Sequence, residues 1–158
     1  MKTDTHVRTG INRRDFLAKA GLGALALTVV PMDAGATPEE TGKLLGEMFG
    51  AKPIRTDERV KLVLPEIAEN GGTVPLTLSV DSPMTEADHV TAMHIFCDGN
   101  PSPNMASYFT GPHNGKAEIA MRIRLMQTQN VIAVAETSTG ELLRNQMQIK
   151  VTLGGCGG

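Results

Sequence analysis

A single cysteine near the C-terminus is the residue of this 158-residue chain best suited to chemistry. Cys156 lies in the sequence Gly154-Gly155-Cys156-Gly157-Gly158. A thiolate is a good nucleophile and forms reversible covalent bonds to sulfur. Because glycine lacks a Cβ and restricts the backbone least, these five residues predict a thin, flexible arm that carries one thiol.

Cys156 is poorly equipped to catalyse a reaction alone. Catalytic cysteines lie in structured electropositive pockets that lower the pKa of the thiol, and a glycine arm supplies no such pocket. The glycines on each side of Cys156 have no side chains, so the thiol could instead be inserted into the active site of another protein. The alternative is a tail cysteine that only links two copies through a disulfide. An unpaired exposed thiol is a liability in an oxidising compartment, which favours a functional role.

The arm follows a predicted strand, and most of the preceding chain also has the pattern of strands. Residues 147–153 alternate apolar and polar side chains with period two, which is typical of a strand with one buried face. Similar short segments recur from residue 60 onward, separated by turn sequences such as Asn70-Gly71-Gly72. Residues 131–135 are apolar on both faces and predict a central strand. About seven strands without intervening helices predict a mainly β fold, an immunoglobulin-like antiparallel β-sandwich.

One short helix is expected before the strands. Thr37 is a suitable N-cap, Pro38 suits the first helical position, and Glu40 completes a capping box. Gly50 is expected to end the helix.

The N-terminal 36 residues have the layout of a bacterial twin-arginine signal peptide. Arg13-Arg14 precede a mildly apolar stretch at 20–30 that is too short to span a bilayer, and Ala34-Gly35-Ala36 forms a small-x-small cleavage pattern. An ordinary Sec signal or an amphipathic helix is the alternative. We expect a signal peptide at 1–36, a sandwich domain at 37–153 and an arm at 154–158. The mature protein is then periplasmic, with no membrane segment.

The composition argues against several other classes of protein. The formal net charge of −2 does not suggest a nucleic-acid surface. There is no phosphate-binding glycine loop, hydrolase triad pattern or cofactor motif. His89, His94 and His113 lack metal-ligand spacing and are expected to be surface or strand residues. We therefore expect no metal and no cofactor.

A second thiol, Cys97, is expected to be structural. It shares strand parity with Met93 and Ile95, so it is predicted to face the core, where free cysteines are often found. A disulfide between Cys97 and Cys156 remains open from the count alone, although it would tie down the arm. Asp98, in the loop that follows, is expected to serve turn geometry rather than catalysis.

Several motifs together resemble the SoxY family, the sulfur-carrier subunits of the periplasmic thiosulfate-oxidising Sox system. The resemblance extends along the whole chain. Its motifs are the twin-arginine leader, the loop Asp98-Gly99-Asn100-Pro101-Ser102-Pro103, the segment RIRLMQTQNVIA at 122–133, and the terminal Gly-Gly-Cys-Gly-Gly.

The resemblance implies a role for each part of the arm and a set of partners. Cys156 matches the sulfur-binding cysteine of the family, and Gly154, Gly155, Gly157 and Gly158 match its carrier arm. The implied partners are a SoxZ-like subunit that forms a heterodimer, a SoxXA cytochrome that joins thiosulfate to the cysteine, and a SoxB hydrolase that releases sulfate. A sulfane dehydrogenase is a further candidate. The chain would then be a carrier rather than an enzyme, with its sulfur cargo bound covalently.

Three rival functions remain to be distinguished. Ubiquitin-like sulfur carriers also end in Gly-Gly, but they work in the cytoplasm and have a helix among their strands. A structural or redox sandwich would use Cys156 only for an intermolecular disulfide. An independent thiol oxidoreductase usually needs a Cys-x-x-Cys motif, which this chain lacks.

Overall fold

The computed structural model describes residues 37–154, which form a helix followed by strands. The predicted signal peptide and the last four residues of the predicted arm lie outside this range. Within it, no helix is long and apolar enough to cross a membrane. The elements are α1 (Pro38–Phe49), β1 (Ile54–Thr56), β2 (Val60–Val63), β3 (Ile67–Asn70), β4 (Val74–Val80), β5 (Val90–Cys97), β6 (Asn104–Phe109), a 3-10 helix (Pro112–Asn114), β7 (Ala117–Ile123), β8 (Gln129–Thr137) and β9 (Leu142–Leu153).

Helix α1 begins and ends where the sequence predicts. The Thr37 N–H donates to Glu40 Oε2 over 2.9 Å, and the Glu40 N–H donates to Thr37 Oγ1 over 3.2 Å. This reciprocal pair satisfies two amide donors at the helix N-terminus. Gly50 ends the helix at φ +65°, a conformation that favours glycine.

The strands form two sheets, which confirms a mainly β fold with one short helix. The larger sheet has six strands, in the order β1-β9-β8-β5-β6 with β3 also paired to β9, and the smaller has the order β2-β4-β7. Most pairs are antiparallel, as expected, but β1 and β3 run parallel to β9. Strand β9 has 12 residues, so its two ends can each accept one of these short strands. Strands of three or four residues are too short to show a clear sequence period.

The core between the sheets is aliphatic, and the helix covers a second apolar cluster on the larger sheet. Strand β8 is buried on both faces, as predicted, because alternate residues face these two clusters. The cluster under α1 contains Leu45, Phe49, Phe96, Ile132, Val134 and Leu142.

Pro75 lies in the central strand of the smaller sheet without breaking it. Strand β2 pairs with β4 only from Thr77 to Val80, so Pro75 lies beyond the end of β2. On its other side, Pro75 pairs with Arg122 of β7. The proline therefore has no strand partner on its β2 side, where its missing N–H interrupts no ladder.

An ion-pair cluster joins the β1–β2 connection to the turn between β8 and β9. Asp57 accepts two side-chain hydrogen bonds from Arg59, and each has a donor–acceptor distance of 3.1 Å. Arg59 and Arg55 also contact the Glu141 carboxylate at 3.2 Å and 2.9 Å. Hydrogen bonds from the side chain and backbone of Arg59 lower the pKa of the Asp57 carboxyl from its ordinary 3.8 to about 2.

We predict that Asp57→Asn lowers stability at neutral pH and that the loss disappears in acid. A carboxyl whose pKa is lower in the folded state stabilises the fold above its unfolded pKa, and this contribution is lost as the pH falls through the folded pKa. The difference in free energy of unfolding between wild type and variant should therefore shrink as the pH falls from about 4 towards about 2. Urea midpoints across this range measure it. Asp81→Asn is the matched control, because the Asp81 carboxylate is exposed and its ion pair with Lys61 is long, at 3.9 Å. An equal gap at all pH values would contradict the prediction.

Candidate functional site

Strand β9 carries the chain to the predicted arm. The strand ends at Leu153, as its alternating pattern predicts, and Gly154 is the last described residue. Gly155, Cys156, Gly157 and Gly158 lie outside the described residues, so the structure shows the base of the predicted arm and not the thiol.

The end of β9 is held on both sides. On the β3 side, the Lys150 N–H donates to the Glu66 carbonyl over 3.1 Å, and the Gly71 N–H donates to the Leu153 carbonyl over 2.7 Å. On the other side, the Val151 N–H donates to Thr128 Oγ1 over 3.0 Å. The backbone is thus fixed up to the last residue of the strand.

Gly154 follows the end of β9 directly and makes close contact with the β7–β8 loop, defined here as residues 124–128. A Cβ added to Gly154 would overlap the carbonyl oxygen of Met126. The sequence interpretation assigned Gly154 a role in flexibility only, and the structure adds a steric requirement. A backbone oxygen cannot move aside as a flexible side chain can, so any larger residue would displace the arm or the loop.

The β7–β8 loop is braced by the loop that follows β5. The Asn100 side chain donates to the Arg124 carbonyl over 2.7 Å and accepts the Met126 N–H over 3.1 Å. Gln129 Nε2 also donates to Asn100 Oδ1, over 2.9 Å. Asn100 is buried, so these three bonds satisfy polar atoms that water cannot reach.

Asp98 and Gly99 extend the same contact. Asp98 Oδ1 accepts the Asn130 N–H, and Asp98 Oδ2 accepts the Asn130 side-chain amide. Both donor–acceptor distances are 2.7 Å. The Gly99 N–H donates to Gln129 Oε1 over 2.6 Å. A Cβ on Gly99 would lie 2.8 Å from the Cβ of Gln129, so this close approach requires glycine. Asp98 therefore has a structural role, and it links its own loop to the start of strand β8 rather than shaping its own turn alone.

Cys97 faces the core, as its parity predicts. Its side chain is fully buried. Burial, with a smaller contribution from the charge of Asp98, raises the pKa of the Cys97 thiol to about 12. At neutral pH the thiol is therefore protonated and enclosed, which makes it a poor nucleophile.

His94 is the strand histidine whose environment the sequence did not reveal. It is buried on the helix side of the larger sheet, where Phe49 meets its ring edge-on at 5.3 Å between centroids. Its Nδ1 lies 2.8 Å from Ser107 Oγ, and its Nε2 lies 2.9 Å from Glu136 Oε1. Ser107 of β6 pairs directly with His94, whereas Glu136 of β8 pairs with Ala92, two residues before His94, so the polar contact extends across three strands. The burial depends on α1, which only the tertiary structure places there.

No metal centre forms within residues 37–154. No three His, Cys, Asp or Glu side chains in that range are arranged to hold an ion. Arg122, in β7, and Arg124, directly after it, are both exposed.

The fold is shared with other small β proteins. A putative superoxide reductase from Thermotoga maritima superposes with a TM-score of 0.54 at 20% identity, covering 62% of this chain and 93% of its own. The neelaredoxin superoxide reductase of Ignicoccus hospitalis gives a TM-score of 0.54 at 16% identity, covering 75% and 96%. At these identities the similarity shows the fold alone. The fold is that of a small two-sheet β protein, and in this chain a glycine sequence that contains a cysteine follows the last strand.

A family match identifies the chain more specifically. The model of the sulfur oxidation protein SoxY matches residues 45–156. The structure of the sulfur carrier protein SoxY from Chlorobium limicola f. thiosulfatophilum superposes with a TM-score of 0.62 at 32% identity, covering 73% of this chain and 98% of its own. No curated protein matches the chain. The chain belongs to the SoxY family and has a role in sulfur oxidation.

We predict that Cys97 stays unmodified in the folded protein. A Cys156→Ser variant should react with no maleimide under native conditions and with one equivalent in urea, because only unfolding exposes Cys97. The measurement is intact mass after labelling. Cys97→Ser, which retains Cys156, is the matched control. Native labelling of Cys156→Ser would show that Cys97 is accessible and contradict the assignment.

We also predict that Asn100→Ala is strongly destabilising. The change removes four hydrogen bonds, one of them to the Met105 sulfur, and leaves buried or partly buried partners without theirs. At about 1–3 kcal/mol for each unsatisfied group, we expect a loss of roughly 3 kcal/mol in the free energy of unfolding. Denaturant titration measures the loss. Asn104→Ala, at an exposed position near the same loop, should change stability little. Equal effects at the two positions would refute the bracing role of Asn100.

Proposed function

We propose that this protein is a covalent carrier of sulfur in thiosulfate oxidation, with Cys156 as the attachment point. The observation that carries the proposal is the division between the two thiols. Cys97 is enclosed in the core, whereas the clamped strand β9 leads straight into the glycine segment that contains Cys156. The family match extends to residue 156, and a 32% identical relative is described as a sulfur carrier.

Loading joins thiosulfate to the thiol with the loss of two electrons. The balanced step is RSH + S2O3²⁻ → RS–S–SO3⁻ + H⁺ + 2e⁻, in which a new S–S bond forms. The electrons pass to a c-type cytochrome partner of the SoxXA kind. The product is a cysteine S-thiosulfonate on Cys156. Since the oxidant belongs to the partner, the chain contributes the nucleophilic sulfur and its presentation.

Hydrolysis then shortens the cargo while the cysteine remains bonded to sulfur. The balanced step is RS–S–SO3⁻ + H2O → RS–S⁻ + SO4²⁻ + 2H⁺, which a SoxB-type hydrolase would catalyse. A persulfide remains on Cys156, and a sulfane dehydrogenase is a candidate to oxidise it further. In this scheme the chain is a substrate handle for its partners rather than an enzyme, and it needs no cofactor.

The proposal includes a partner subunit and a compartment. We propose a heterodimer with a SoxZ-like subunit and export to the periplasm by the twin-arginine route. The Arg13-Arg14 leader supports that route, because it carries folded proteins and would allow both subunits to leave together. Cys156 is flanked only by residues without side chains, namely Gly154, Gly155, Gly157 and Gly158. We propose that this lack of bulk allows the thiol to enter the active sites of several partners.

The test is the intact mass of the mature protein from thiosulfate-grown cells, measured with and without reductant. We expect a thiosulfonate or persulfide mass that reductant removes and that maps to the peptide containing Cys156. A Cys156→Ser strain should lose the modification, whereas a Cys97→Ser strain should keep it. The same spectrum checks whether residues 1–36 have been removed.

Two other outcomes would overturn the proposal. An unmodified thiol or a simple disulfide dimer as the only species would favour a structural or redox sandwich. A modified C-terminal carboxylate at Gly158 would instead indicate the chemistry of ubiquitin-like carriers.

A further inference from the structure

We propose that the β7–β8 loop sets the direction in which the arm leaves the sandwich, and that this direction limits how fast partners load Cys156. The inference rests on the proposed carrier function. It makes Thr128, Met126 and Asn100 positioning residues, because they act on the arm and not on the sulfur.

The short reach of the thiol makes the direction important. One residue, Gly155, separates Cys156 from Gly154. An extended chain advances at most about 3.5 Å per residue, so the Cα of Cys156 lies within about 7 Å of the Cα of Gly154. A tether this short cannot compensate for an error at its base. The position of Gly154 therefore limits the region that the thiol can sample.

Two contacts of the loop fix that base. The Thr128 hydroxyl accepts the Val151 N–H, at a point where β8 no longer pairs with β9. The Met126 carbonyl then lies against Gly154 and leaves no room for a Cβ. The first contact holds the end of the strand, and the second restricts the path of the next residue.

Asn100 holds the loop in place for both contacts. Its side chain bonds to Arg124 and Met126 within the loop and to Gln129 directly after it. The Asp98 carboxylate fixes Asn130 one residue further on. The loop is therefore anchored by a buried network, which allows it to act as a rigid stop for Gly154.

The principal test is Gly154→Ala in thiosulfate-grown cells, with the loading rate of Cys156 followed by intact mass after thiosulfate addition. Because about 1 Å of misplacement can cost about 100-fold in a reaction, we expect loading to slow by about ten-fold or more. The melting temperature should barely change, since Gly154 is exposed and follows the last strand. Gly42→Ala is the matched control, because a Cβ there meets nothing within 4 Å.

A reaction without any partner separates positioning from the chemistry of the thiol. Tetrathionate loads a thiolate directly, as RS⁻ + S4O6²⁻ → RS–S–SO3⁻ + S2O3²⁻, by attack on a sulfur–sulfur bond. Purified wild type and Gly154→Ala should react with tetrathionate at equal rates, because a small ion approaches the thiol from any side. A lower rate in the variant would show an effect on the thiol itself and overturn the positioning role.

Tether length and the Thr128 hydroxyl provide independent checks. Two glycines inserted between Gly155 and Cys156 should restore much of the loading lost in Gly154→Ala, because a longer tether tolerates a wrong direction. Thr128→Val removes the acceptor for the Val151 N–H and should slow loading, whereas Thr128→Ser keeps it and should not. Failure of the insertion to restore loading would overturn the inference.

The failures of the two proposals are distinguishable. If wild type reacts with tetrathionate but acquires no sulfur in thiosulfate-grown cells, the carrier function is wrong and the inference falls with it. If wild type is loaded in cells and Gly154→Ala is loaded equally fast, the carrier function stands and the positioning role of the loop is refuted.

Discussion

The arrangement around the C-terminus depends on one constraint, the pairing of the backbone of β9 along its whole length. Strand β8 pairs with β9 only as far as Ile149, and four more strand residues follow. These residues are largely exposed, so their backbone is held in the strand by hydrogen bonds to other protein groups rather than by burial. Strand β3, Gly71 and the Thr128 hydroxyl supply them. The strand therefore stays ordered up to the glycine segment.

The two cysteines differ in their surroundings, and the proposed carrier role depends on that difference. Cys97 has a pKa raised to about 12 by burial, so it remains a protonated thiol that packs as a small apolar side chain. Cys156 follows a strand end and is flanked by glycines on both sides. A protein that carries sulfur on one thiol benefits when its other thiol cannot compete for it.

The motifs that suggested the family acquire a physical explanation in the structure. The loop beginning at Asp98 and the segment at 122–133 are far apart in sequence but bond to each other through Asp98, Gly99 and Asn100. The second segment contains Met126, whose carbonyl lies against Gly154, and the first segment holds it in place through Asn100. The resemblance therefore rests partly on residues that support the base of the arm.

Local patterns were sufficient for much of the fold. The capping box of α1, the burial of Cys97, the end of β9 at Leu153 and the central position of β8 follow from side-chain period and cap chemistry, which act over a few residues. Tertiary structure alone decided the parallel pairing of β1 and β3, the burial of His94 beneath Phe49, and the contact of Gly154 with Met126. These features depend on contacts between distant segments, which a local sequence period does not encode.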